Sequence, residues 1–255
     1  MTGKQIFSAD WPVPRNIHAS VTTKVGGISE PPYKSFNLAN HVGDTPLAVA
    51  RNKEILQGLL PSQISCQWLD QEHGTKVVTI ESAGSSIKAD GLVTQEPNLA
   101  CCILTADCLP ILFSNQSGTE VAAAHGGWRG LYAGIVENIL HEMQSRPEEI
   151  VAWLGPAIGP CHYQVGIEIR EAFLDKCVTD EERVVVGQCF TESDFEKKVQ
   201  FNLYAYTKLR LTSLGVADIH GGHYCTYCAG DNFYSYRRDG KTGRMASIIF
   251  MAEMD

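Results

Sequence analysis

Three short segments each place a possible metal ligand or nucleophile beside glycine or proline: Gln71-Glu72-His73-Gly74, Thr105-Ala106-Asp107-Cys108-Leu109-Pro110 and Ala124-His125-Gly126-Gly127-Trp128-Arg129-Gly130. Two imidazoles and one thiolate suit zinc, a borderline-soft ion that takes three protein ligands in catalytic sites and keeps its fourth position for water or substrate. The spacing of the three matches no compact metal motif. Hydrogen-bonded loop histidines and a packed core thiol are therefore the plainer alternative. Gly126-Gly127 tips the balance towards a site, because glycine lets the backbone approach a ligand closely or adopt positive φ.

Other clusters carry less. His220-Gly221-Gly222-His223-Tyr224-Cys225-Thr226-Tyr227-Cys228 holds four possible ligands in one short stretch, and Cys-x-x-Cys suits metal or redox chemistry. A structural role is expected there, with a second metal site left open. Cys101 and Cys102 adjoin in an apolar strand whose alternation points them to opposite faces, so both read as packing residues. His141-Glu142 resembles the start of a zinc-protease helix, but the position needed for the second histidine is Ser145.

These residues need a scaffold, and the chain can supply one. Its 255 residues, 44% hydrophobic and 20% charged, describe an ordinary globular composition rather than a disordered one. A net charge of −8 disfavours a nucleic-acid binder, which needs clustered Lys and Arg against phosphates. The first ten residues hold no apolar signal core. Leu99 to Leu104 is far short of the about 20 apolar residues that cross a bilayer. A cytoplasmic chain with its nine cysteines kept as thiols is the expectation. Asp44-Thr45-Pro46 offers a cap for a helix running to Leu60-Pro61. Buried strands are predicted at Leu99 to Leu104, Ile111 to Phe113, Val121 to Ala124 and Ile150 to Leu154, and helices at Ile135 to Met143, Glu168 to Lys176 and Leu203 to Leu214. With no repeat or linker, residues 1–255 read as one domain. The three ligand segments fall where predicted strands stop, the usual place for site residues.

Phe36-Asn37-Leu38-Ala39, His41-Val42-Gly43-Asp44, Ala106-Asp107-Cys108, Gly155-Pro156-Ala157-Ile158-Gly159-Pro160-Cys161 and Tyr234 to Arg244 join the His73 and His125 segments in an ordered set. Together they resemble the YfiH/YlmD family, also called the laccase-domain or polyphenol oxidase family, from about Ser20 to the C-terminus. The resemblance implies an α+β fold, a single four-layer α/β/β/α sandwich with mixed sheets, related to cysteine-dependent deamidase toxins. It implies that His73, Cys108 and His125 bind zinc, with copper as the alternative. His162 departs from the family, where Cys or a small residue is common.

For activity the resemblance implies zinc-dependent phosphorolysis of the purine nucleosides adenosine, inosine and methylthioadenosine, with adenosine deamination beside it. Phosphorolysis needs phosphate held beneath C1′ and stabilisation of the departing purine. Basic candidates are Arg129, Lys53, Arg237, Arg238 and Arg244; Asn37 and Gln71 are implied near the substrate. The partners are then small molecules, with no nucleic acid or membrane. The older name implies a copper-dependent phenol oxidase, yet eight histidines with no His-x-His pair do not furnish a multicopper cluster. A third alternative is a hydrolase with Cys108 as nucleophile and His125 as its base.

Overall fold

The alternation of side chains along two fully buried strands sets the architecture. Every residue of Leu99–Thr105 and of Leu109–Asn115 is buried, which a strand achieves only when both of its faces are covered. Cys101 and Ile103 face one apolar cluster while Ala100, Cys102 and Leu104 face another. Leu112 shares the cluster of Cys101 and Ile103, whereas Ile111 and Phe113 point to a third.

The two strands belong to different sheets. The computed structural model describes residues 3–253. In it, sheet A has the order Ile6–Ser8, Ile17–Thr22, Met245–Met251, Leu99–Thr105, Ser65–Gln67. Sheet B has the order Asp218–Gly221, Ile150–Leu154, Leu109–Asn115, Val121–Gly126, Gly91–Thr94, Val77–Thr79. Both mix parallel and antiparallel pairings. The sheets meet across Ile103, Leu112, Ala123, Trp153, Met245 and Ile249. Helix Pro46–Leu59 covers the outer face of sheet A through Leu56. Helices Ile135–Glu142, Ile167–Asp175 and Leu203–Ser213 cover sheet B through Ile139, Phe173 and Leu211. Three apolar layers separate four structural layers, the α/β/β/α order expected.

The first helix begins as its cap residues dictate: Thr45 Oγ1 accepts the Ala48 N–H at 3.3 Å, and Pro46 takes the first helical position. Among the described residues no helix is long and apolar enough to cross a membrane. All nine cysteines are free thiols.

The passage from one sheet to the other is short. The chain leaves sheet A at Thr105 and enters sheet B at Leu109, with only Ala106-Asp107-Cys108 between. Asp107 turns this corner at φ 89°, and its carboxylate accepts Thr226 Oγ1–H and the Arg237 N–H, each at 2.6 Å. Asp is among the few residues that adopt positive φ without prohibitive cost.

Ile103 lies fully buried between the sheets. Ile103→Ala is expected to lower unfolding stability by about 2–5 kcal/mol, read from the chemical-denaturation midpoint; an unchanged midpoint would contradict a core between the sheets.

Candidate active site

The corner between the sheets places Cys108 beside His125. Strand Val121–Gly126 pairs antiparallel with Leu109–Asn115, with His125 opposite Pro110 and Gly126 opposite Leu109. His125 therefore stands next to the residue that follows the corner. His73 arrives from the loop after Leu69–Asp70, in a left-handed conformation at φ 60°. The donor atoms of His73, Cys108 and His125 lie within 4.8 Å of one another. Cys108 Sγ is 3.8 Å from His73 Nε2, and the two imidazoles meet edge to face at 4.7 Å.

A buried carboxylate that the motifs did not single out holds this group in place. Asp90 accepts the backbone N–H groups of Glu72, His73 and Gly74 at 3.1, 2.9 and 2.7 Å. Its Oδ1 also lies 2.8 Å from His125 Nδ1. One side chain thus fixes the loop that carries the first ligand and the tautomer of the third. Burial pushes the Asp90 carboxyl up, but the His125 bond and the N–H groups outweigh it and leave the pKa below its ordinary value.

Glycines make room for the arrangement. A Cβ on Gly127 would stand 3.0 Å from His73 Cδ2 and 3.3 Å from Cys108 Sγ, and one on Gly130 would stand 2.9 Å from the Gly74 carbonyl. A side chain at either position would press the ligand loop away.

The donor set fits zinc. With Nδ1 directed at Asp90, His125 presents Nε2, and a carboxylate behind a ligating imidazole is the common support of zinc sites. One sulfur at about 2.3 Å and two nitrogens at about 2.0–2.1 Å from an ion place donors at separations close to those observed. Without a metal the same atoms form an ion pair. Burial alone would push the Cys108 thiol up, but the charges and hydrogen bonds of His125 and His73 bring it down to about 6. Burial likewise works against charge on His125, and the Cys108 thiolate and Asp90 overrule it, raising the imidazole to about 9.

These three residues open into a cavity of about 450 Å³. Three guanidiniums line it, each against an aromatic ring: Arg129 over Trp128 at 4.5 Å, Arg237 over Tyr163 at 5.2 Å and Arg244 over Tyr236 at 5.8 Å. An aromatic face under a guanidinium holds the cation by attraction to the ring, and Arg244 is further held by its Nη1, which donates to the carbonyls of Thr242 and Gly243 at 2.8 and 3.0 Å. Arg237 is further held by the carbonyls of Gln164 and His162 at 2.9 and 3.3 Å. Thr105 and His41 also line the cavity.

The other residues singled out from sequence fall elsewhere or act indirectly. Gln71 lines the cavity, but its amide is spent on the Leu104 backbone, donating to the carbonyl at 2.9 Å and accepting from the N–H at 2.8 Å. Asn37 is fully buried outside the lining, where it accepts the Arg244 N–H at 3.0 Å and so positions that arginine. Arg238 donates to the carbonyls of Thr226, Tyr227 and Phe233 and pairs with Asp239, leaving the cavity to its neighbour. Lys53 lies over the Trp68 ring at 4.8 Å, outside the lining, with burial lowering its ammonium pKa. It sits on the helix that covers the outer face of sheet A, whereas the cavity forms where strands of the two sheets end. His220 pairs with Asp218 at 2.5 Å and His223 joins no ligand group, but Cys225 and Cys228 gather with Cys161 and His162.

Comparison with known proteins points to one family under two activity names. A family model described as multi-copper polyphenol oxidoreductase laccase matches residues 18–252. A Haemophilus influenzae protein named purine nucleoside phosphorylase is 45% identical over 246 residues, covering 96% of this chain and 99% of its own length. The Escherichia coli K12 protein named purine nucleoside phosphorylase YfiH is 44% identical over 250 residues, 97% of this chain and 99% of that one. Among solved structures, a Neisseria meningitidis protein superposes with a TM-score of 0.90 at 41% identity, covering 98% of this chain and all of that one. YlmD from Geobacillus stearothermophilus gives 0.84 at 30% identity, covering 94% and 93%.

Asp90→Asn keeps the volume but replaces one acceptor oxygen by a donor. Metal affinity measured by competition titration is expected to fall about 10–100-fold while Cys108, His73 and His125 remain; an unchanged affinity would show that Asp90 has no part in presenting the ligands.

Proposed function

Because the chain belongs to the laccase-domain family that includes YfiH, we propose that its cavity cleaves purine nucleosides by phosphorolysis, using a zinc ion held by His73, Cys108 and His125. The observation that carries this reading is the ring of three arginines stacked on aromatics beside that ligand set. The names of the similar proteins support the reaction class. In the reaction a phosphate oxygen bonds to C1′ of the ribose while the C1′–N9 bond breaks, its electron pair leaving with the purine, which takes up a proton. The products are the free base and the 1-phosphate of the sugar: ribose 1-phosphate from adenosine and inosine, 5-methylthioribose 1-phosphate from methylthioadenosine.

The roles follow from what each group can offer. Arg129, Arg237 and Arg244 supply permanent positive charge for phosphate. Burial, with the Cys108 charge adding to it, holds the Tyr163 phenol well above its ordinary pKa, so at neutral pH it is a donor for a nitrogen of the departing base. Zinc bound there supplies Lewis-acid polarisation and lowers the pKa of water to about 7, the chemistry that deamination of adenosine requires. Adenosine, inosine and methylthioadenosine are the proposed substrates, and a cytoplasmic location accords with nine free thiols.

One observation favours a second reading. Cys108, His125 and Asp90 stand in nucleophile, base and orienting order, with the His125–Asp90 contact at 2.8 Å. A cysteine hydrolase uses that order without metal. Chelation separates the two: a zinc enzyme loses turnover and regains it with added zinc, whereas a cysteine hydrolase keeps turnover under chelation and loses it to alkylation.

Incubation with adenosine, inosine and methylthioadenosine, with and without phosphate, tests the reaction. Free base with ribose 1-phosphate from adenosine and inosine, and with 5-methylthioribose 1-phosphate from methylthioadenosine, is expected only with phosphate, and deamination of adenosine in both conditions. Fast oxygen-dependent phenol oxidation with copper, with no nucleoside consumed under any condition, would overturn the proposal in favour of the oxidase.

A further inference from the structure

A second group of soft ligands lies outside the cavity. Cys161, His162, Cys225 and Cys228 bring their donor atoms within 4.8 Å of one another. Cys161 Sγ is 3.8 Å from Cys225 Sγ and 3.6 Å from Cys228 Sγ. His162 Nδ1 is 3.2 Å from Cys161 Sγ and 3.3 Å from Cys228 Sγ. A tetrahedral zinc with Zn–S about 2.3 Å and Zn–N about 2.0–2.1 Å sets sulfurs about 3.8 Å apart and sulfur from nitrogen about 3.5 Å. Any two thiols in contact would stand at a similar distance. Four soft donors converging on one point, from two segments far apart in sequence, is the distinguishing feature.

The surroundings are those of a ligand cage. Cys225-Thr226-Tyr227-Cys228 supplies two sulfurs at the spacing of a zinc knuckle. The Gly159 N–H donates to Cys225 Sγ at 3.2 Å, a bond that favours a thiolate there. The His162 ring stacks on Tyr227 at 3.9 Å and 13°, so its plane is fixed with Nδ1 towards the sulfurs. The knuckle is anchored beneath: Thr226 N–H donates to the Ala157 carbonyl at 3.0 Å, and its hydroxyl donates to Asp107.

We propose that Cys161, His162, Cys225 and Cys228 bind a second ion of the zinc class, as a closed structural site of three thiolates and one imidazole. Four protein ligands leave no position for substrate, which separates it from the three-ligand group in the cavity. The ion joins the loop after strand Ile150–Leu154 to the irregular stretch after Asp218–Gly221. Its effect reaches the cavity wall, because the His162 carbonyl holds Arg237 and the adjacent Tyr163 lies under that guanidinium.

The test counts metal on whole protein purified under reductant, loaded with zinc and desalted. Two zinc ions per chain are expected in the unaltered protein, one in Cys108→Ala, one in the double variant Cys161→Ser/Cys228→Ser, and none when all three changes are combined. Cobalt gives a second reading. Cobalt-loaded Cys108→Ala should show sulfur-to-metal absorption about three times that of the double variant, since three thiolates replace one. If Cys108→Ala binds neither zinc nor cobalt, the proposal fails. It also fails if the unaltered protein holds one zinc and its mass under non-reducing conditions is two hydrogens short, which would mean a disulfide instead. Should the double variant not fold, the unaltered protein and Cys108→Ala decide.

Discussion

The site depends on one buried carboxylate satisfied on every side. Asp90 is 1% exposed and gathers three consecutive backbone N–H groups and an imidazole. Removing a carboxylate from water is costly unless donors replace the water. Here they do, and the donors come from two places: the loop that presents His73 and the end of the strand that presents His125. The carboxylate's need for partners is what brings loop and strand together. Without it, the left-handed turn at His73 and the ring orientation of His125 would have no common support.

The sandwich contributes the other half of the geometry. Passing between sheets in three residues forces a sharp corner, and Asp107 stabilises it by binding Thr226 and the Arg237 backbone. Cys108 then stands at the mouth between the layers, where strands end and side chains from both sheets are within reach. Around it, chemistry and support fall on different residues. Arg237 faces the cavity whereas its neighbour Arg238 is occupied with carbonyls of its own loop. Asn37 and Gln71 act through the backbone, one holding Arg244 in place and the other bracing Leu104.

Elements whose local pattern agrees with their final environment were legible in the sequence. The Thr45-Pro46 cap was legible because capping chemistry is local, and the apolar strands with the opposed Cys101 and Cys102 because burial on both faces leaves unbroken apolar runs. Helix Asp180–Gly187 did not, since Asp180-Glu181-Glu182-Arg183 opens it with charge and little of it is buried. The ligand group was visible as glycine-flanked segments, but Asp90 was not. A lone Asp before a glycine reads as a turn, and its role rests on donors brought in by folding. The same holds for Cys161 and His162, which join Cys225 and Cys228 only in three dimensions. Which arginines face the cavity was equally hidden, since each is a surface charge until its aromatic partner is known.

Strand Met245–Met251 occupies the middle of sheet A, between Ile17–Thr22 and Leu99–Thr105. As a nascent chain grows at about 5–20 residues per second, those two strands wait with an open slot between them. Their unpaired edges are the kind of surface that invites pairing with another chain. Closing the slot joins residues 224 positions apart, such as Ala246 and Thr22, a high contact order that slows folding. Because Arg237 and Arg244 arrive with that same final segment, the barrier that closes the sheet also governs when the cavity first exists.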